Sequence, residues 1–253
     1  MESGTDSLEA HGGGAEGFAG TAAGDPRPFL VKAPGMTGFW DLLDVAAAAA
    51  IREHARPRSY ARGGALMHAG QVPQEVIVLR SGRVKVSATT PSGRRVLLAF
   101  RGPGDLVGKM SAIDERPRGA SVEALEPVEA IAVSHQHFRS VLREQPAAAL
   151  ALLRVLAHRL READAKRIQL SGYTAMGRVA FCLLELCERF GADEEGAVDI
   201  LLPLSQEELA GWAGSSLESV ARSLQAMRGL GWIETRRRAI RVLDRDGLRT
   251  ATA

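Results

Sequence analysis

Glu218 and Arg222 stand four positions apart in the run SQEELAGWAGSSLESVARSL at 205–224. Both side chains can read a nucleobase. A guanidinium donates paired hydrogen bonds to N7 and O6 of guanine, and a carboxylate accepts one from the amino group of cytosine. Helical spacing puts both on one face with Leu217 and Ala221, and turns Val220, Leu224 and Met227 to the other. Small neighbours would let such a face sit deep between the phosphate walls of a major groove. Leu217 cannot donate to guanine, but it can touch a thymine methyl. Ser215, Ser216 and Ser219 cluster at the helix start, where hydroxyls and free backbone amides suit phosphate oxygens. Shortly after come Arg236, Arg237 and Arg238, a basic run able to hold phosphates without reading sequence.

These groups need elements to hold them. Ser205 with Glu208 has the spacing of a capping box, and so does Ser215 with Glu218. Gly214 separates the two short helices that these signals start, which predicts a helix-turn-helix. LGWIETRRRAIRVLD then reads as a hairpin, with Ile233 and Ala239 to Val242 on its strands and the arginines at its tip. Taken singly, a helical hairpin in a core would explain the first pattern and a solvated turn the second. Their order points to DNA binding, with the hairpin as a basic wing.

Upstream, the rhythm differs. Residues 1–36 are rich in Gly, Ala and Ser with little bulky apolar content, and predict a disordered tail. FWDLLDVAAAAAIREHA reads as a short helix. EVIVLRSGRVKVSATTPSGRRVLLAF holds three strand-like runs parted by Ser81-Gly82 and Ser92-Gly93, and VEAIAVS supplies a final strand. In RVKVS the valines alternate with Arg83, Lys85 and Ser87, as a half-buried strand requires. Many short strands with frequent turns predict a small barrel or sandwich. From Pro146, PAAALALLRVLAHRLREADAKRIQL is one long helical pattern. Leu153, Leu156, Leu160, Ala163, Arg167 and Leu170 lie near three-four spacing. That stripe suits either a seam with a second copy or packing on the chain's own barrel, and the seam is the favoured reading. MGRVAFCLLELCERFG is a further amphipathic helix, and GADEEGAVDILLPL an acidic loop leading to a short strand.

Composition narrows the partners. The chain has 253 residues, room for two ordinary domains, and a formal net charge of only +2. Its two cysteines, Cys182 and Cys187, sit among Val179, Leu183, Leu184 and Leu186 and suit core packing in a reducing compartment. No secretory pattern opens the chain and no apolar run spans a bilayer, so a cytoplasmic protein without membrane contact is expected. His68 suits a surface turn, and the HxH pair His135 and His137 has no third ligand nearby, so no metal site is expected. No nucleophile with its base, paired carboxylates or P-loop is found, which argues against an enzyme; DERPR at 114–118 is charged but carries no catalytic pattern.

RSGRVKV, PGDLVGKMSAID, RPRGAS, the long helix, MGRVAFCLLELCERFG and SQEELAGWAGSSLESVARSL together resemble the CRP/FNR family of transcription regulators. The likeness covers about residues 38–248. It implies an α+β chain: a cyclic-nucleotide-binding-type β-roll over 37–145, a dimerisation helix over 146–172 and a winged helix-turn-helix over 173–250. It also implies a homodimer on a near-palindromic duplex, with RNA polymerase as a partner. The sensor pocket departs from that pattern. A cyclic-AMP reader of this family carries glutamate after the glycine, to bond the ribose hydroxyl; here the run is Gly108, Lys109, Met110. Arg118 survives, but Gly119 and Ala120 follow where the family has a hydroxyl, and the long helix has Ala163 and Asp164 where polar residues meet adenine. An ammonium cannot accept a hydrogen bond, and losing a charged acceptor costs about 1.5–3 kcal/mol. Either the pocket is vestigial or its ligand is a more anionic nucleotide. No cofactor is expected beyond such an effector. The family's arginine at the position of Leu217 is also missing, which predicts a half-site altered beside the pairs read by Glu218 and Arg222. The rival expectation is a nucleotide-binding or protein-interaction module with an inert helix-turn-helix.

Overall fold

A computed structural model describes residues 38–91, 93, 95–194, 196–200, 205–236 and 239–252. The tail at 1–36, with Arg237 and Arg238, lies outside the described residues.

The first expected helix divides. Trp40–Leu42 form a 3-10 turn, and α1 (Val45–Glu53) starts only where the Asp44 carboxylate accepts the Ala47 amide at 2.8 Å. The roll consists of two four-stranded antiparallel sheets. One orders β1 (Arg56–Tyr60), β8 (Val128–Ser134), β3 (Glu75–Ser81) and β6 (Leu106–Val107). The other orders β2 (Ala65–Met67), β7 (Ser121–Ala124), β4 (Val84–Thr89) and β5 (Arg95–Arg101). Their inner faces bury Ile77, Leu79, Val84, Val122 and Val128. Two further helices, α2 (Lys109–Asp114) and α3 (His135–Glu144), complete the sensor.

The long helix α4 (Pro146–Gly172) packs on the chain's own roll along part of its length and leaves other apolar side chains uncovered. Ala148, Ala151, Leu152 and Val155 pack on the roll with Phe39, Ile51 and Phe138. Leu150, Leu153, Leu160 and Ile168 remain between 50% and 72% exposed.

The C-terminal domain contains α5 (Ala175–Phe190), α6 (Gln206–Trp212), α7 (Leu217–Gly229) and α8 (Arg245–Thr250) over a sheet ordered β11 (Ile233–Arg236), β12 (Ala239–Val242), β10 (Ala197–Ile200), β9 (Gly191–Glu194). The acidic segment expected as a loop is therefore mostly strand β9, paired to β10. Cys182 and Cys187 are buried in this core. Burial pushes the Cys182 thiol up to about 12.

One sequence expectation fails for a tertiary reason. The alternation along β4 predicts a half-buried strand with Lys85 and Ser87 facing water. Both are 6% exposed. The C-terminal domain covers that face, and Leu97, Phe100 and Leu125 of the sensor share one core cluster with Leu209, Trp212 and Ala213.

Candidate nucleic-acid interface and sensor pocket

The helix-turn-helix forms as its caps predict, with one shift. Ser205 and Glu208 make a full capping box: the Ser205 hydroxyl accepts the Glu208 amide at 3.1 Å, and Glu208 Oε2 accepts the Ser205 amide at 2.9 Å. The second cap is Ser216 rather than Ser215, and its hydroxyl accepts the Ser219 amide at 3.1 Å. Gly214, at φ 57°, takes the left-handed turn between the helices, which a side chain would strain. Val220, Leu224 and Met227 anchor α7 in the core at 0–3% exposure. Leu217, Glu218, Ala221 and Arg222 face outward.

Arg222 Nη1 lies 3.0 Å from Glu218 Oε1, and both side chains are mostly exposed. Such an i,i+4 pair is worth about 0.3–0.5 kcal/mol, so it holds both groups roughly in place and costs little to exchange for base edges. Ser216 and Ser219 stay at the surface end of the helix, with the Ser216 hydroxyl donating to that of Ser219 at 2.9 Å. Ser215 is placed differently. It is buried, and its hydroxyl donates to Ala213 O at 3.2 Å. It holds the turn and does not present its oxygen to a phosphate. The wing forms as an antiparallel β11–β12 pair, with exposed Arg236 Nη2 at 3.1 Å from Glu234 Oε2.

Arg178 escaped the sequence reading. From the first turn of α5 its Nε donates to Ala213 O at 3.1 Å and to the Ser215 hydroxyl at 3.3 Å, while Nη1 donates to Tyr173 O at 3.0 Å. One guanidinium thus ties the reading turn to the segment joining α4 and α5. A signal existed: a cation in a helix's first turn opposes the helix dipole and needs specific acceptors to sit there.

The sensor cleft encloses about 350 Å³ between β4–β5 and α2, lined by Val86, Leu98, Arg101, Lys109, Met110 and Arg118 among others. Gly108, Gly119 and Ala120 complete its wall. Asp164 lies on an exposed side of α4 and does not line it. Arg118 is buried and spends its fork on backbone, donating through Nη1 to Gly108 O at 2.8 Å and through Nη2 to Glu75 O. Burial draws its pKa below the ordinary arginine range, against the opposing pull of Glu75. Lys109 Nζ donates to Leu106 O at 3.1 Å. Burial first, then the charges of Arg101 and Arg159, lower the Lys109 ammonium to about 8, with Asp105 opposing. Asp105 itself is engaged by Arg159 Nη2 at 2.6 Å. No carboxylate appears among the described residues lining the cleft.

The histidines divide. His68 is exposed. His135 and His137 are half-buried: burial, then the Arg118 charge, lowers the His135 pKa, and His137 Nε2 lies 2.8 Å from Ala50 O. Among the described residues no group of three or more metal-capable side chains comes together. No helix there is long and apolar enough to cross a membrane.

A roll with a ligand-sized cleft, joined by a long helix to a capped helix-turn-helix and a wing, has the architecture of a DNA-binding transcription regulator. Two family models match, the cyclic nucleotide-binding domain over residues 57–145 and the Crp-like helix-turn-helix domain over 177–251. The CRP-like cAMP-activated global transcriptional regulator of Mycobacterium tuberculosis is 33% identical over 211 residues, 83% of this chain and 94% of that protein. The cyclic AMP receptor protein of Thermus thermophilus is 35% identical over 190 residues, 72% and 85% of the two chains. Among solved structures, FixK2 from Bradyrhizobium japonicum superposes with a TM-score of 0.63 at 26% identity, over 79% of this chain and 98% of that one. The chain belongs to the CRP/FNR family of transcription regulators. The curated relatives named here are regulators rather than enzymes.

Proposed function

We propose that the protein is a cytoplasmic homodimer that reads a near-palindromic DNA site, with one α7 in each of two successive major grooves about 34 Å apart. The observation that carries this is α7 itself. Its inner face is locked into the core, and Leu217, Glu218, Arg222 and Gln225 stand exposed on the rest of the helix, with the hairpin that carries exposed Arg236 following it. Leu150, Leu153, Leu160 and Ile168 supply the dimer seam, since nothing in the described chain covers them. Contacts with RNA polymerase follow from membership of the family. Selection of sites from random duplexes, followed by anisotropy titrations across salt, tests the reading. A palindromic site is expected, bound with a steep negative salt slope and altered beside the Glu218 and Arg222 pairs. Recovery of the unmodified cyclic-AMP-receptor consensus, or no sequence preference, would refute it. Leu153→Glu with Leu160→Glu should yield monomers by sedimentation equilibrium.

For the pocket, a lining with Arg101, Lys109 and Arg118 and no carboxylate favours an anionic ligand held without a bond from a ribose hydroxyl to a carboxylate. Cyclic AMP itself, for which the Mycobacterium relative is named as cAMP-activated, is then a weak ligand here. Isothermal titration against cyclic mono- and dinucleotides separates the cases. Tight binding of cyclic AMP would sink this reading, and silence from every nucleotide would leave the pocket vestigial.

A further inference from the structure

The side chains around the sensor cleft are unequal in what they offer a ligand. Arg101, Lys109 and Arg118 carry hydrogen-bond donors and no acceptor. Among the described lining residues the one side-chain oxygen belongs to Ser111, which is only 5% exposed. The backbone adds little. Gly108 O already accepts from Arg118 Nη1 at 2.8 Å, and Arg118 O from the Gly70 amide at 2.7 Å. The rest of the wall is hydrocarbon: Met67, Val86, Leu98, Val107, Met110 and Val122. Leu98 and Met110 are 50% and 58% exposed, so part of that hydrocarbon has no cover from the chain.

A site rich in donors and poor in acceptors selects against ligands that bring donors of their own. A buried hydroxyl or amino group left without an acceptor lowers affinity about five- to hundredfold. Cyclic AMP brings such donors on both its ribose and its base. A ligand with acceptors alone escapes that penalty. The cations also lack a counter-charge within the cleft, because Asp105 lies outside the lining and is held by Arg159 Nη2 at 2.6 Å. Arg118 is fixed to the wall by its bonds to Gly108 O and Glu75 O. Lys109 is the better anchor: its bond to Leu106 O at 3.1 Å uses one of the three N–H groups of an ammonium. Burial, with the charges of Arg101 and Arg159, holds that ammonium down at about 8, as in a cation cluster short of an anion.

We propose that the cleft is a binding site for an acyl carboxylate, a single anionic head on a hydrocarbon chain, with the head at Lys109 and the chain along Met67, Val86, Leu98 and Met110. The carboxylate accepts and never donates, and the chain asks for no polar partner. Unbranched methionine side chains adapt to such a chain. The inference rests on the reading of the cleft as an anion site and names the class of anion.

The test is isothermal titration of the full chain with butanoate, hexanoate and octanoate, with octanamide as the neutral counterpart and cyclic AMP as the nucleotide. Each added methylene that is buried should tighten binding about fourfold. Octanamide should bind about ten- to hundredfold more weakly than octanoate, and Lys109→Met should weaken octanoate by as much. Leu98→Glu sets a carboxylate on the hydrocarbon wall at a half-exposed position, so it should abolish octanoate binding with the thermal midpoint little changed. Octanoate binding that survives both variants would place the acid elsewhere, such as the uncovered stripe of α4, and overturn the proposal. Binding that ignores chain length would do the same. A cleft silent to nucleotides, and so vestigial as a nucleotide site, should still take octanoate. Tight binding of cyclic AMP, or octanamide binding as well as octanoate, sinks the anion reading and this proposal together. Should octanoate fail where inorganic phosphate binds and Lys109→Met removes it, the anion reading stands and the acyl class alone falls; failure of every probe also overturns the acyl class.

Discussion

Replacing Arg178 by alanine removes the guanidinium that pins the reading turn. Two of its bonds, to Tyr173 O at 3.0 Å and Ala213 O at 3.1 Å, are short, and the one to the Ser215 hydroxyl is longer at 3.3 Å. Hydrogen bonds from a charged donor contribute about 1.5–3 kcal/mol each, so the two carbonyl bonds alone suggest roughly 3–6 kcal/mol. Two effects reduce this. Ser215 still donates to Ala213 O, and water can reach a half-buried site. The expected loss is about 2–4 kcal/mol from the C-terminal domain, read as a lower urea midpoint at unchanged slope. Arg178→Lys retains one carbonyl bond at most and should recover about half of that. Affinity for DNA should fall with stability while the salt slope holds, because Arg178 touches no phosphate in this reading. A loss under about 0.5 kcal/mol would mean that the turn holds itself, and the positioning argument would fail.

Arg222→Ala should cost about 1–3 kcal/mol in binding and relax preference at one base pair, whereas Arg236→Ala should weaken all sequences alike and lower the salt slope by about one. Both side chains are exposed, so urea midpoints should barely move. Lys109 sets a pH dependence. Its folded value of about 8 lies below the ordinary 10.5, so between these the unfolded chain binds more protons. Stability should therefore rise with pH across that window and gain nothing from this group below it. Lys109→Met should abolish the rise, and a denaturation series that still shows it would place its source elsewhere. An anion bound in the cleft should take up protons near pH 8, visible as buffer-dependent heats. Cys182, fully buried with its thiol raised to about 12, should resist thiol reagents until the domain unfolds, and fast labelling of the native protein would contradict that burial.

The reading half was the more legible in sequence. Capping boxes, a turn glycine and a three-four apolar spacing are local instructions, and Ser205, Gly214, Val220, Leu224 and Met227 all sit as their spacing directs. The second cap slipped by one residue because Ser215 and Ser216 are both competent caps. Arg178 drew Ser215 into the turn, and that choice is made across a span of 37 residues. The cleft's departures were also visible as residue types, but not what those residues do there: Arg118 spends its fork on backbone, and Lys109 folds back onto Leu106 O.

The sequence by itself determined the order of parts, a strand-rich sensor, a long helix and a capped two-helix reader with its hairpin, because hydrophobic period and turn chemistry act over a few residues at a time. Tertiary structure decided which outward faces stayed outward. Alternation made Lys85 a solvent-facing residue of a half-buried strand, yet Glu208, 123 positions later, brings a second domain down upon it. Burying an ammonium is tolerable only when carboxylates meet it with good geometry, and no local pattern can announce partners that arrive from another domain.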